Sequence, residues 1–461
     1  MPENRMGVMP IGKLLARMSI PPMISMLAVA MYNLIDSLFV SMISEDAMTA
    51  LALVFPLQMI MMAVSVGIGV GLTSLISRRL GERRQEDADS AATHGMVFAL
   101  AIWVIFAIFG IFFAGDFLSL FTGAEGSGEI YEMALTYCRI VMIGSVSICF
   151  SIMIGKTLQA TGNMFHPMLF SLVGVGTNAV LTPILVMGYL GAPQLGVAGA
   201  AYATVIGQTI ELVIALYILF SRKHAVSVSF KGFRPQPETI KDILVVAAPT
   251  MVMQAVMPVL VSLLNKMLFA HGAAVFVLGV YYRLSTFTIL PVVGLNQGAL
   301  PIIGYSFGAG NRLRLIATYK YAVVAATIIM VIGVAIFWIF PDRIMMLFSA
   351  SPETLEMGVN ALRTISIAWL PAAFGIITIG LFQALAHGVF ALIIAIVRQL
   401  GFILPLAYIL LINFGVNGVW YSYPLAEIGA LALGIIFLYR VYIKDIKGLP
   451  DGTPVGGKQC E

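Results

Sequence analysis

The chain has 461 residues, of which 60% are apolar and 10% charged, with a formal net charge of +4 and a mean hydropathy of +0.98. Soluble domains carry about 25% charged residues, so this chain has too few polar groups to face water all round, and its solvent is lipid. That excludes a soluble globular fold, and the small positive balance speaks for membrane topology, not for nucleic acid as a partner.

Apolar runs of about 20 residues, the length that crosses a bilayer, recur twelve times. They cover residues 19–43, 50–76, 94–114, 134–158, 167–189, 198–220, 243–269, 274–304, 320–340, 358–385, 389–413 and 417–440. Backbone groups cannot stay unpaired in hydrocarbon, and the runs lack the strict alternation of barrel strands. The expected fold is all-α: a polytopic membrane protein of twelve transmembrane helices. The first run holds Ala28, Val29 and Ala30, which mimic a signal-cleavage site, but it continues to Ile43 and is read as a retained helix. Prolines interrupt the runs at Pro21, Pro22, Pro56, Pro183, Pro249, Pro258, Pro291, Pro301 and Pro371, each removing a backbone hydrogen bond and permitting a kink.

The two halves of the chain echo each other. Pro21 returns as Pro249; Gly67, Gly71 and Gly81 return as Gly294, Gly298 and Gly308. Arg139, Gln159 and Ala160 return as Arg363, Gln383 and Ala384, and Gly196, Val197, Gly199 and Tyr202 return as Gly415, Val416, Gly418 and Tyr421. The offsets fall from 228 through 227 and 224 to 219, as two copies of one unit give when the second has shorter loops. Six helices per copy is an even number, so the copies run the same way through the membrane, as parallel repeats. The expected organisation is an N-lobe over 1–220 (helices 1–6), a cytoplasmic linker over 221–242, a C-lobe over 243–446 (helices 7–12), and a disordered tail over 447–461. The linker, with Arg222, Lys223, His224, Lys231, Arg234, Pro235 and Pro237, reads as a solvated tether. Glycines four apart allow close helix packing, and helices 1 and 7, kinked at matching places, are expected to bend during transport.

With the N-terminus inside, 20 of the 26 Lys and Arg fall on the cytoplasmic side. That bias puts both termini in the cytoplasm of a cell whose cytoplasmic (inner) membrane the chain spans many times. The exceptions include Lys266, Arg283, Arg363 and Arg398 within helices. Cys138 and Cys149, eleven apart on one expected helix, lie about 16 Å apart by helical rise and cannot pair; with Cys460 in the tail, all three are read as reduced.

Ionisable groups inside a bilayer are costly, about 2.5–3.5 kcal/mol on insertion scales, so the acids deep in the runs, Asp36, Glu211 and Glu427, are informative. Tyr32, Asn33 and Asp36 share one helix face, a functional stripe or a structural acid held by hydroxyls and amides. Glu427, whose repeat partner is Gln208, is either a transport acid or the partner of a buried Arg283, Arg398 or Lys266. Glu211, nearer the cytoplasmic end, is expected to reach water. Asn178 with Thr182, and Thr204 with Gln208, are four-residue pairs that offer oxygens to a small hard cation or a proton relay, or that glue helices together. Asn265, Arg283, Gln297, Gln383 and Arg398 complete a candidate substrate cavity. The 27 methionines suit an adaptable wall or simple core filling. No metalloprotease, nucleophile-elbow or P-loop motif occurs, and the five histidines stand apart, so no enzyme activity and no cofactor are expected. Energy would come from an ion gradient.

Residues 32–40 (YNLIDSLFV), 158–162 (LQATG), 196–204 (GVAGAAYAT), 294–311 (GLNQGALPIIGYSFGAGN) and 415–427 (GVNGVWYSYPLAE) resemble the multidrug and toxic compound extrusion (MATE) family, in its DinF/MepA-like branch. The resemblance implies two six-helix lobes in a V and cation-coupled export of small amphipathic, often cationic, compounds by a monomer in contact with membrane lipid. It implies that Asp36 is the functional aspartate of helix 1, and that Asn178 and Thr204 match ligand positions of an N-lobe cation site. Thr182 stands where the family pattern has a second acid, which favours a proton over sodium as coupling ion, with sodium at Asp36, Asn178 and Thr204 as the other option. The alternatives are a flippase for lipid-linked precursors, which would show a long cationic groove, and a membrane scaffold or receptor without transport.

Overall fold

The computed structural model of the chain describes residues 4–122, 128–221, 224–346, 348 and 352–451, with the side chains of all of these except 32–38, 40–41, 121–122 and 352–353. All regular structure among them is helical. Ten helices are long and apolar enough to cross a membrane, and two bent pairs complete twelve spans. In order these are Ile11–Ser41, Glu45–Gly81, Gln85–Leu120, Glu129–Gly144 with Val146–Ala160, Phe165–Met187 and Gly196–Ser221 in the first repeat. The second repeat has Pro237–Leu268, Gly272–Gly308, Arg312–Ile339, Thr354–Ser366 with Trp369–Ala384, Gly388–Phe414 and Val416–Ile446. Each of the twelve expected runs lies on one of these spans.

The outward faces are apolar. The ninth span exposes Tyr321, Val324, Ile328, Val331, Ile332 and Ile336, and the sixth exposes Val213, Tyr217 and Phe220. Such faces are stable only against lipid. Helix ends carry the expected complementary groups: Glu45 and Asp46 open the second span and Arg78 and Arg79 close it, each suited to the helix dipole. The Asn311 side chain caps the ninth span by accepting from Arg314 N at 2.9 Å.

The chain packs into two compact units. One holds Met1–Met23, Ser77–Arg84 and Ala248–Glu461; the other holds Ile24–Ile76 and Gln85–Ala247. The boundaries fall beside Pro21 and Pro249, the repeated prolines. The start of the first span thus packs with the second repeat, and the start of the seventh with the first, so the stretches 1–220 and 243–446 exchange these segments. Repeated glycines make both exchanges possible. A Cβ on Gly298 would lie 2.7 Å from Met18 O, and one on Gly294 would lie 2.7 Å from Met23 Cα; in the other unit, Gly71 takes the same place against Ile243 O and Ala247. Where the second and eighth spans end, Gly81 lies against Tyr305 and Ala309 while Gly308 lies against Arg78. Positions 78 and 81 repeat as 305 and 308, so the contact is reciprocal, each copy offering the other the same surface.

Three expectations are corrected. The fourth run is not one helix. It bends by 43° at Gly144 and Ser145, and its counterpart in the second repeat bends by 45° between Ser366 and Trp369. Ser145 Oγ donates back to Met142 O at 2.7 Å and Ser366 Oγ to Arg363 O at 3.0 Å, the local competition that breaks a helix. Cys138 and Cys149, both buried and free, therefore sit on different helices; Cys460 lies outside the described residues. The tail is held at its start, because Arg312 Nη1 donates to Lys447 O at 3.1 Å, Arg312 N donates to Pro450 O at 3.0 Å, and the guanidinium pairs with Asp451.

The segment joining the repeats is not a free tether. Helix begins at Pro237, and the preceding stretch is stitched to the first turns of the third span. The Asp89 carboxylate accepts from Ser227 N and Ser227 Oγ, both at 2.9 Å, and Gln85 Nε2 donates to Ala225 O at 2.6 Å. His94, buried, donates through Nδ1 to Ser90 O at 2.8 Å and accepts from Gln236 N at Nε2 at 2.9 Å, with Phe233 edge-on at 4.8 Å. Asp89→Ala removes two acceptors at once and is expected to raise protease cleavage within 224–236 several-fold while thermal stability of the spans holds. Unchanged cleavage would show that the strap does not depend on Asp89.

Candidate functional site

The fifth and sixth spans form the tightest helix pair of the unit that holds the first repeat. Their glycines explain it. A Cβ on Gly207 would stand 2.8 Å from Gly174 O, and one on Gly199 would stand 2.6 Å from Leu185 C, so the backbones touch along the seam. This contact brings Asn178, Thr182 and Thr204 together, all buried. Thr182 Oγ1 donates to Asn178 Oδ1 at 2.8 Å, Asn178 Nδ2 donates to Thr204 Oγ1 at 3.2 Å, and Thr204 Oγ1 donates to Ala200 O at 3.0 Å. The three residues picked out by spacing thus form one directed chain of hydrogen bonds at mid-span. Gln208, the next candidate, is half-buried and makes no hydrogen bond among the described residues. Tyr32, Asn33 and Asp36 belong to the helix Ile11–Ser41, but their side chains lie outside the described residues.

The second polar cluster lies in the other unit. Arg398 Nη1 contacts Glu427 Oε1 at 3.3 Å, with side-chain exposures of 20% and 10%. Arg398 and Gln399 sit on a π-helical stretch, Val397–Ile403, whose extra residue per turn rotates them off the helical register. Arg398 Nε and Gln399 Oε1 are buried without a hydrogen-bond partner among the described residues. An aromatic wall adjoins them: Tyr282 and Tyr423 hydroxyls meet at 2.8 Å, Trp369 Nε1 donates to the Tyr281 hydroxyl at 3.1 Å, and the Tyr281 and Tyr423 rings pack edge-to-face. Of the three cations weighed against Glu427, the structure selects Arg398; Arg283 and Lys266 are exposed. Gln383 Nε2 donates to Thr250 Oγ1 at 3.1 Å in a buried contact, while Asn265 and Gln297 are half-buried.

The surroundings of three groups were not legible in the sequence. The aromatic wall has no sequence motif, although Tyr423 and Glu427 are four apart on one face. Lys156, counted as a cytoplasmic charge, is half-buried and donates to Gln159 Oε1 at 3.1 Å, its stem filling the space over Gly69. Glu211, expected to reach water, is half-buried, with its side chain against Gly174 of the fifth span. Two apolar grooves, one at Pro237, Ile240, Lys241, Leu244 and Val245 and one between the ninth and twelfth spans, hold none of the candidate residues.

Twelve spans in two parallel copies, crossing segments exchanged at repeated prolines, and a buried polar cluster at mid-span define a polytopic membrane protein of the transporter class. The MatE family model matches twice, over residues 21–184 and again over 246–409, two stretches of equal length in register with the repeat. The chain belongs to the MATE family. It is 27% identical over 434 residues to the multidrug export protein MepA of Staphylococcus haemolyticus strain JCSC1435, covering 94% of each chain. It superposes with a TM-score of 0.90 at 30% identity on an outward-facing multidrug resistance MATE transporter of the MOP superfamily, covering 97% of this chain and 99% of that one. A MOP superfamily transporter from Pyrococcus furiosus Vc1, described as having a binding pocket of reverse polarity, gives 0.88 at 30% identity, again with 97% and 99% covered.

Proposed function

We propose that this chain is a secondary antiporter that exports small amphipathic compounds, many of them cationic, in exchange for protons. It acts as a monomer in the cytoplasmic membrane with both termini inside, and its two six-helix repeats serve as the lobes. The observation that carries the reading is the hydrogen-bonded trio Asn178, Thr182 and Thr204, buried at mid-span in a family whose relatives include a multidrug export protein. Joining the two helices takes only the bond from Asn178 to Thr204; the added Thr182 hydroxyl extends it to a relayed chain of three, which places oxygens where an ion or proton can exchange. The trio is neutral. Sodium leaving water needs its hydration replaced, and fewer charged ligands bind it less tightly. A proton needs one titratable group, which the carboxylate of Asp36 would supply. The 3.3 Å pair of Arg398 with Glu427 neutralises the cation that a flippase groove would keep free for lipid phosphate.

The reading is tested in proteoliposomes with ethidium as the probe and separate proton and sodium gradients. Export driven by a pH gradient alone, with little added by sodium, is the expected result. Sodium-driven export at equal pH on both sides would overturn the proton assignment, and no export under either gradient would overturn the antiporter.

A further inference from the structure

Glu211 is the sole carboxylate of the sixth span, fifteen residues from Gly196 and ten from Ser221, about 22 Å and 15 Å from the helix ends by helical rise. It therefore lies in the middle of the span. It shares the inward stripe of Thr204, Gly207, Ala215 and Ile218, and Val213, Tyr217 and Phe220 face outward on the other side. On the fifth span it meets Gly174, where a Cβ would stand 2.9 Å from both Glu211 Cβ and Glu211 Oε2. One turn further along, a Cβ on Gly207 would stand 3.0 Å from Asn178 Cβ. The seam thus runs from the Asn178 and Thr204 pair, through two facing glycines, to the Glu211 carboxylate. Side chains on a helix lean toward its N-terminus, so the carboxylate leans back toward that pair.

No hydrogen bond or ion pair joins Glu211 to any described residue. The titratable or charged groups on the elements packed against the sixth span are His166 on the fifth, Cys149 and Lys156 on Val146–Ala160, and Glu129, Tyr131, Glu132, Tyr137, Cys138 and Arg139 on Glu129–Gly144; none is within bonding reach of it. A structural acid holds a partner, as Glu427 holds Arg398. An unpartnered acid at mid-span costs stability and adds no contact in return, which marks it as functional.

We propose that Glu211 is a second proton-accepting site of the first repeat, in line with the Asn178, Thr182 and Thr204 trio. This rests on the proton-antiport reading above. The carboxylate takes a proton from water on one side and returns it to water on the other; only its O–H bond forms and breaks. Glycine at 174 and 207 keeps the seam free of side chains between carboxylate and trio. The two turns from Thr204 to Glu211 span about 10 Å, and because the backbones touch at Gly174 and Gly207, a proton passes between the two sites only when the helices part enough to admit water.

The test uses the full chain in liposomes holding a trapped pH dye, with ethidium as the probe. Wild type is measured first: absence of proton movement coupled to ethidium would overturn the antiport reading itself, before any variant is compared. Given wild-type coupling, Glu211→Gln is expected to keep its melting temperature and its ethidium–ethidium exchange without a gradient, while proton movement per ethidium falls about tenfold. Glu211→Asp, which restores the titratable group one carbon shorter, should recover part of the loss. Proton movement at the wild-type rate in Glu211→Gln would overturn the proposal. A large fall in melting temperature would overturn it too, because it would reveal a structural partner for the acid.

Discussion

Glu427→Gln is expected to destabilise the protein by about 3–5 kcal/mol, the usual effect of removing one partner of a buried ion pair. The reason is what remains. Arg398 stays on its π-helical stretch with Nη1 aimed at position 427 and with Nε already lacking a partner among the described residues, so the guanidinium loses its counter-charge inside the bundle. The pair is a single contact at 3.3 Å, longer than a good charge-assisted bond of about 2.8 Å, which places the effect toward the lower end of the range. The double variant Arg398→Met with Glu427→Leu should regain much of the loss, since replacing both ions by apolar side chains of similar size is often neutral. Thermal unfolding in detergent checks both. A Glu427→Gln protein that melts like wild type but exports less ethidium would instead make Glu427 a transport acid, and one that changes in neither respect would remove it from both roles.

The spans and the duplication were legible because bilayer thickness and unpaired backbone groups leave few solutions. A run of apolar residues fixes a helix, and repeated glycines and prolines fix the copies. What periodicity left open was the direction each helix faces. Asn178, Thr182 and Thr204 were found because four-residue spacing places them on one face, and the short fifth-to-sixth connection makes those helices neighbours. The surroundings of Glu211 and Glu427 stayed open for the same reason: distance along the helix said how deep each lay, not which neighbour it met. Gly174 and Gly207 held the missing signal, since paired glycines on adjacent spans mark the seam on which Glu211 lies. The bend at Gly144 and Ser145 was written in a Gly-Ser pair that an apolar run conceals. The docked strap was invisible because its partners, Gln85, Asp89 and His94, are polar residues at a helix start that a solvated loop would equally well carry.

Asp36→Asn is expected to leave the protein folded and to reduce gradient-driven ethidium export to the level of protein-free liposomes. Asn keeps the size of the side chain and removes its titratable charge. Asn178, Thr182 and Thr204 cannot substitute, because amides and hydroxyls do not titrate near neutral pH. Exchange without a gradient should survive, which separates lost coupling from lost folding. The sign of the ion preference follows from Thr182. Its hydroxyl donates to Asn178 Oδ1 at 2.8 Å and so occupies an oxygen that would otherwise be offered to a cation. Thr182→Asp reverses that bond: a carboxylate accepts from the Asn178 amide nitrogen, turns Oδ1 outward, and adds a negative oxygen of the kind a hard cation prefers. Sodium should then drive export at equal pH in Thr182→Asp and not in wild type. Restoration of export in Asp36→Asn by Thr182→Asp would show that the cluster needs one carboxylate in either place; full export by Asp36→Asn alone would remove Asp36 from the coupling mechanism.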